Sequence, residues 1–218
     1  MLGGIVGQVL APDPAYATAP VTAMMIGTMI ATVPVSLFMQ RFGRRAGFML
    51  GASLGVVSGL LAAYAITIGS FLLFCAATHL LGYFQSSANF YRFAAADTAS
   101  PGFRPKAIAW TLGGGLAGAV LAPEVVRFTS GILVLFAGTF VAIAAVSLLT
   151  LLVVATLRFP APPPPSATTG RPLKEIATQP RFLLALAAGA VSFGMMSFVM
   201  TATPLAMLAC GFAVDQAT

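Results

Sequence analysis

Charged side chains occur along this chain only as punctuation. Between them lie charge-free runs at 14–40, 46–91, 107–123, 128–157 and 182–214. A helix needs about 20 apolar residues to cross a hydrocarbon core roughly 30 Å thick, so these runs have room for about six crossings. Turn and charge signals divide them into spans at 19–39, 46–67, 71–92, 107–123, 131–157 and 181–203, preceded by a half-span at 2–11. Gly69-Ser70 splits the second run, and the last span can continue past Pro204, because proline is tolerated in buried membrane helices. The pattern predicts an all-α, polytopic transmembrane helical bundle.

Composition excludes the soluble alternatives. Of the 218 residues 59% are hydrophobic and only 7% charged, far from an ordinary soluble domain. The net charge of +6 does not indicate nucleic acid, since the basic residues sit in short loops rather than on one folded polar surface. It reads as topology instead. If each span reverses direction, Arg41, Arg44, Arg45, Arg92, Arg104, Lys106, Arg158, Arg171, Lys174 and Arg181 fall on one side and Arg127 alone on the other. Positive charge stays inside, so the loops after spans 2, 4 and 6 are expected in the cytoplasm of a cell whose inner (plasma) membrane holds the protein. Cys75 and Cys210 lie far apart in apolar surroundings, the pattern of packing residues rather than of a disulfide or metal pair. Met1 to Pro14 lacks a basic region ahead of its apolar stretch, which argues against a cleaved signal peptide, and it looks like the second half of a span. The run Phe159-Pro160-Ala161-Pro162-Pro163-Pro164-Pro165 favours an extended linker over 158–180. The expected organisation is a first bundle over 1–157 with its first span cut short, the linker, and the opening span of a second bundle over 181–218, the proportions of a fragment.

Between spans 2 and 3 stands Ser36-Leu37-Phe38-Met39-Gln40-Arg41-Phe42-Gly43-Arg44-Arg45. It resembles the signature loop of the major facilitator superfamily, usually Gly-x-x-x-Asp-Arg-x-Gly-Arg-Arg, matching at Arg41, Gly43, Arg44 and Arg45 and departing at Ser36 and Gln40. Gly43 permits a tight turn, and the arginines can bond carboxylates or the carbonyl ends of neighbouring helices. Taken alone, the loop could be a generic basic turn. The next loop on that side adds weight: Tyr91-Arg92-Phe93-Ala94-Ala95-Ala96-Asp97, then Arg104, is also similar to the family pattern. An arginine often found in span 4 of the family, three residues before a glutamine, is replaced by Gly82 ahead of Gln85. Proton coupling built on that arginine is therefore not implied.

Span 4 carries the most informative face. Thr78, His79, Gly82, Tyr83, Gln85, Ser86, Asn89 and Arg92 share one helical sector, expected to face protein or water. Leu73, Ala77, Leu80, Leu81, Phe84 and Ala88 occupy the opposite sector, expected to face lipid. His79 lies about 12 Å below Phe71, near mid-bilayer, where an ionisable group is a functional candidate. A neutral histidine hydrogen-bonded between helices explains it equally well. Gly51, Gly55 and Gly59 in span 3, and Gly114 and Gly118 in span 5, offer flat faces for close helix approach. Two enzyme-like patterns, Gly51-Ala52-Ser53-Leu54-Gly55 and Gly113-Gly114-Gly115-Leu116-Ala117-Gly118, need a strand before a helix and lie inside helical runs instead. Met24, Met25, Met29, Met195, Met196 and Met200 could line an adaptable apolar pocket, though such residues more often pack or face lipid.

The resemblance implies a secondary transporter that moves a small molecule by alternating access of two bundles around a midplane site. Gln8, His79, Tyr83, Gln85, Ser86 and Asn89 are the candidate pathway residues. Arg41, Gly43, Arg44, Arg45, Asp97 and Arg104 are the candidates for a loop that latches one conformation. The substrate is expected to be a neutral or anionic small molecule, a coupled proton is a candidate partner, the lipid bilayer is the other, and no metal or organic cofactor is implied. Two rivals stand beside this reading. A membrane fragment that transports nothing is one. A membrane-embedded hydrolase is the other, weakened because His79 is the single imidazole and Ser86 is seven residues away.

Overall fold

The computed structural model describes residues 2–129, 136–157, 159, 175 and 177–210, which form helices and no strand. Apart from its terminal residues the chain divides into two compact units, 2–162 and 163–217. In the first, α1 (Leu2–Leu10) is followed by a 3-10 turn (Pro14–Tyr16), α2 (Ala19–Phe42), α3 (Arg44–Thr67), α4 (Phe71–Ala88), α5 (Tyr91–Thr98), α6 (Arg104–Thr129) and α7 (Ala137–Thr156). The second contains α8 (Pro180–Ala209), a 30-residue helix with mostly exposed side chains, Met195, Met196 and Met200 among them. Five helical stretches, Pro14–Phe42, Arg44–Thr67, Arg104–Thr129, Ala137–Thr156 and Pro180–Thr203, are long and apolar enough to cross a membrane.

Element ends show how local chemistry sets the boundaries. Asp13 Oδ1 accepts from the Ala15 amide at 2.8 Å and starts the 3-10 turn. A single residue, Gly43, separates α2 from α3, and its φ of 88° lies where a side chain would be strained. Ser70 caps α4 by accepting from the Leu73 amide at 3.4 Å.

Two expected spans differ in extent. Span 4, read as 71–92, stops at Ala88, and Tyr91–Thr98 forms a separate short helix. Span 5, read as 107–123, continues through Pro123 to Thr129. Glu124 and Arg127 end the apolar run but not the helix, because at i,i+3 they pair with each other at 3.2 Å on its surface. At 26 residues α6 is about 39 Å long, so its ends reach beyond the hydrocarbon core. The start of span 6 at 131–135, most of the linker expected over 158–180, and residues 211–218 lie outside the described residues, as do Arg158, Arg171 and Lys174.

Small residues bring the backbones together. On α3, Gly47, Gly51, Gly55 and Gly59 form one stripe: a methyl group on Gly47 or Gly51 would collide with Met39 or Ser87, and on Gly55 or Gly59 with Ser147 or the Ala144 backbone. The stripe thus meets α4 on one flank and α7 on the other. Val6, Ala62, Ile66, Phe74, Ala77, Ala137 and Phe140 close the core at one end of the unit. Ala31, Val35, Met39, Phe48, Ala94 and Val154 close it at the other, with Tyr91 and Phe159 packed alongside.

This packing corrects the expected lipid face of α4. Ala77 is fully buried, Leu73 packs on the same cluster, and Phe84 lies against Gly55 of α3. Lipid tails are as apolar as leucine, so an apolar sector in a membrane helix can face either lipid or another helix. The glycines of α6 differ from those of α3: no described atom lies within 4 Å of a side chain built at Gly114 or Gly118.

Candidate functional site

The polar residues of α4 are distributed between two neighbours. Gly27 of α2 and Gly82 of α4 let these helices approach until their backbones nearly touch; a methyl on either would run into the opposite main chain. Beside this crossing His79 Nδ1 lies 3.1 Å from the Ala23 carbonyl oxygen. A carbonyl can only accept, so Nδ1 donates and, in the neutral ring, Nε2 is left as an acceptor. The Tyr83 ring stands edge-on to the imidazole, centroids 5.7 Å apart. One turn further, Ser86 Oγ donates to Thr32 Oγ1 at 3.3 Å, while Thr32 bonds the Thr28 carbonyl at 2.7 Å. Ser87 turns to the other flank and donates to the Gly47 carbonyl at 3.4 Å.

Of the expected pathway residues, His79, Tyr83 and Ser86 therefore share the α2–α4 seam. Gln85 and Asn89 are exposed, and Gln8 is exposed on α1. Thr28, Thr32 and Ser87 join the seam and its flank without standing out in the sequence, although the i,i+4 spacing of the two threonines places both on one face. His79 and Ser86 each bond α2 rather than one another, which is not the arrangement of a base and its nucleophile. Among the described residues no group of three or more His, Cys, Asp or Glu comes together to hold a metal ion.

The two basic loops meet at the N-terminal end of α3, one turn before Gly47. Arg44, the first residue of α3, forms an ion pair through Nη2 with Asp97 Oδ2 in the last turn of α5. Each charge sits at the helix end its dipole disfavours, an arginine at an N-terminus and an aspartate at a C-terminus, and the pairing offsets both. Arg45 Nη2 donates to the Ala155 carbonyl oxygen in the last turn of α7, where a cation is favoured. The turn at Gly43 thus sends adjacent arginines to two different helices. Arg41 instead lies over the ring of Phe42, 5.4 Å from its centroid. Arg104 is exposed at the start of α6.

Comparison with known proteins agrees with this architecture. The chain is 44% identical, over 99% of its length, to "Riboflavin transporter RfnT" of Brucella anthropi (strain ATCC 49188 / DSM 6882 / CCUG 24695 / JCM 21032 / LMG 3331 / NBRC 15819 / NCTC 12168 / Alc 37). It spans about half that relative, 56% of its length. No solved structure gives a significant match. The family model of the Major Facilitator Superfamily matches residues 1–217, and with an all-helical bundle whose Gly43 turn carries the paired arginines, the chain, a multi-pass membrane protein, belongs to that superfamily.

Proposed function

We propose that this chain supplies the first bundle, over 1–157, of a facilitator-type secondary transporter that carries riboflavin or a similar neutral heteroaromatic molecule by alternating access. The observation that carries the reading is the identity of 44% with a riboflavin transporter along 99% of the chain. The proline-rich stretch 158–180 is the linker and 181–218 opens a second bundle. His79, Tyr83 and Ser86 form the part of the pathway that belongs to the α2–α4 seam, with Gln8, Gln85 and Asn89 on exposed positions around it. Nε2 of His79, left as an acceptor by the Ala23 bond, suits a ligand N–H or O–H, and a proton is the coupled partner of the reading. Arg41, Gly43, Arg44, Arg45, Asp97 and Arg104 make up the latch loop at the cytoplasmic face of the inner membrane. Transport rather than enzymatic turnover is the activity.

The test is uptake of radiolabelled riboflavin by an auxotroph lacking its own importer and expressing the gene with its full genomic context. Saturable accumulation that weakens in His79→Ala and recovers in part in His79→Gln supports the assignment. Uptake indistinguishable from the empty host rejects riboflavin as substrate.

A further inference from the structure

Beside the exposed Arg104, the other four described arginines on the Gly43 side of the first unit, Arg41, Arg44, Arg45 and Arg92, divide into two classes. Arg44 and Arg45 are engaged by protein groups, Asp97 and the Ala155 carbonyl. Arg41 and Arg92 have no ion pair or hydrogen bond among the described residues; each lies over the phenylalanine that follows it, 5.4 Å from Phe42 and 4.9 Å from Phe93. These rings are not core residues. Phe42 is 57% exposed and Phe93 47% exposed, although their elements are pinned to one buried cluster through Met39 of α2 and Ala94 of α5. Two copies of one small device, an exposed ring beneath an exposed guanidinium, therefore flank the same rim.

A guanidinium held over a ring, with no protein acceptor for its N–H groups among the described residues, keeps them available to a ligand. The guanidinium presents these N–H groups in a plane matched to two oxygens of a phosphate. The ring below is apolar and suited to the boundary between headgroups and acyl chains, the level at which aromatic residues and long basic side chains concentrate in membrane proteins. We infer that Arg41-Phe42 and Arg92-Phe93 form a docking rim for the phosphate of an anionic phospholipid, separate from the arginines that hold the bundle. The charge is complementary, and the rings add contact that a freely dissolved phosphate would not use.

Native mass spectrometry of the detergent-purified 218-residue chain, titrated with phosphatidylglycerol and separately with phosphatidylcholine, tests this. The wild type should retain phosphatidylglycerol in preference. Arg41→Gln and Arg92→Gln should each lower its apparent affinity about fivefold and leave phosphatidylcholine unchanged. Phe42→Leu with Phe93→Leu, which keeps both charges, should lower it about two- to fivefold by removing the stack. Lys106→Gln removes an exposed charge on the same side that has no stacked ring, and should have the smaller effect. Equal losses from Lys106→Gln and Arg41→Gln would reduce the rim to diffuse attraction, and absence of any preference for phosphatidylglycerol would remove it altogether; either outcome overturns the inference.

Discussion

Arg44 reaches across 53 residues of chain to the carboxylate of Asp97, joining the first turn of α3 to the last turn of α5. The arginine side chain is 30% exposed and the aspartate 57%, so the pair is half in solvent and its strength should be modest. A double-mutant cycle of Arg44→Ala with Asp97→Asn, read by denaturant unfolding in detergent, should give a coupling of about 0.5 to 1 kcal/mol. The same cycle with Arg45→Ala should be additive within about 0.3 kcal/mol, because Arg45 bonds the Ala155 carbonyl instead. Coupling of Asp97 to Arg45 alone would mean that the two arginines exchange roles.

Glycines at a helix crossing and on an open helix face should behave in opposite ways. Gly27→Ala or Gly82→Ala forces backbone away from backbone at the α2–α4 crossing and should cost about 1 to 3 kcal/mol. Gly114→Ala or Gly118→Ala meets nothing within 4 Å in this chain and should raise stability by up to about 1 kcal/mol through helix propensity. Thermal unfolding of the four variants decides the matter: a destabilised Gly114→Ala would show that α6 is already closely packed.

The same contrasts separate what the amino-acid sequence announces from what only packing decides. The helices themselves are legible, because a charge-free run of twenty or more residues allows little else. Their ends are less so: Glu124 and Arg127 look like a boundary in the sequence but neutralise each other along α6. That Arg44 or Arg45 meets Asp97 can be anticipated, since Asp97 is the lone carboxylate in the two basic loops, but the sequence does not choose between the two arginines. That His79 bonds between helices and that an arginine reaches a carbonyl end can be expected, but the acceptors Ala23 and Ala155 cannot be picked out, because main-chain carbonyls belong to every residue and no side chain announces them. The burial of Ala77 is hidden for a related reason, lipid and helix being equally apolar neighbours.

Tyr91 packs edge-on against Phe48, ring centroids 4.8 Å apart, and its buried hydroxyl has no partner among the described residues. Tyr91→Phe retains the ring and removes the unpaired polar atom, so its melting temperature in detergent should match or exceed the wild type. Phe48→Ala, which empties a site 1% exposed between Tyr91 and Phe159, should cost about 3 to 5 kcal/mol. A Tyr91→Phe variant destabilised by more than about 1 kcal/mol would reveal a hydroxyl that is in fact bonded.

Topology is open to direct measurement. With Cys75 and Cys210 replaced by serine, single cysteines at Gln40 and Ala99 should resist an impermeant maleimide in intact cells and react after permeabilisation, whereas one at Ala15 should react from outside. The basic bias of the loops requires this pattern. External labelling at Gln40 and Ala99 would invert the arrangement.

The glycine contacts on both flanks of α4 have a mechanical consequence. A helix held main chain to main chain against one neighbour at Gly82, with its Ser87 and Phe84 side chains seated on Gly51 and Gly55 of another, is closely fitted on both flanks and has little room to slide. With α7 seated on α3 at Gly59, the four helices α2, α3, α4 and α7 pack as one block that holds His79 against Ala23. Under the proposed transport reading, selectivity along this seam would be that of a rigid mould, set when the chain folds rather than adjusted as each molecule arrives.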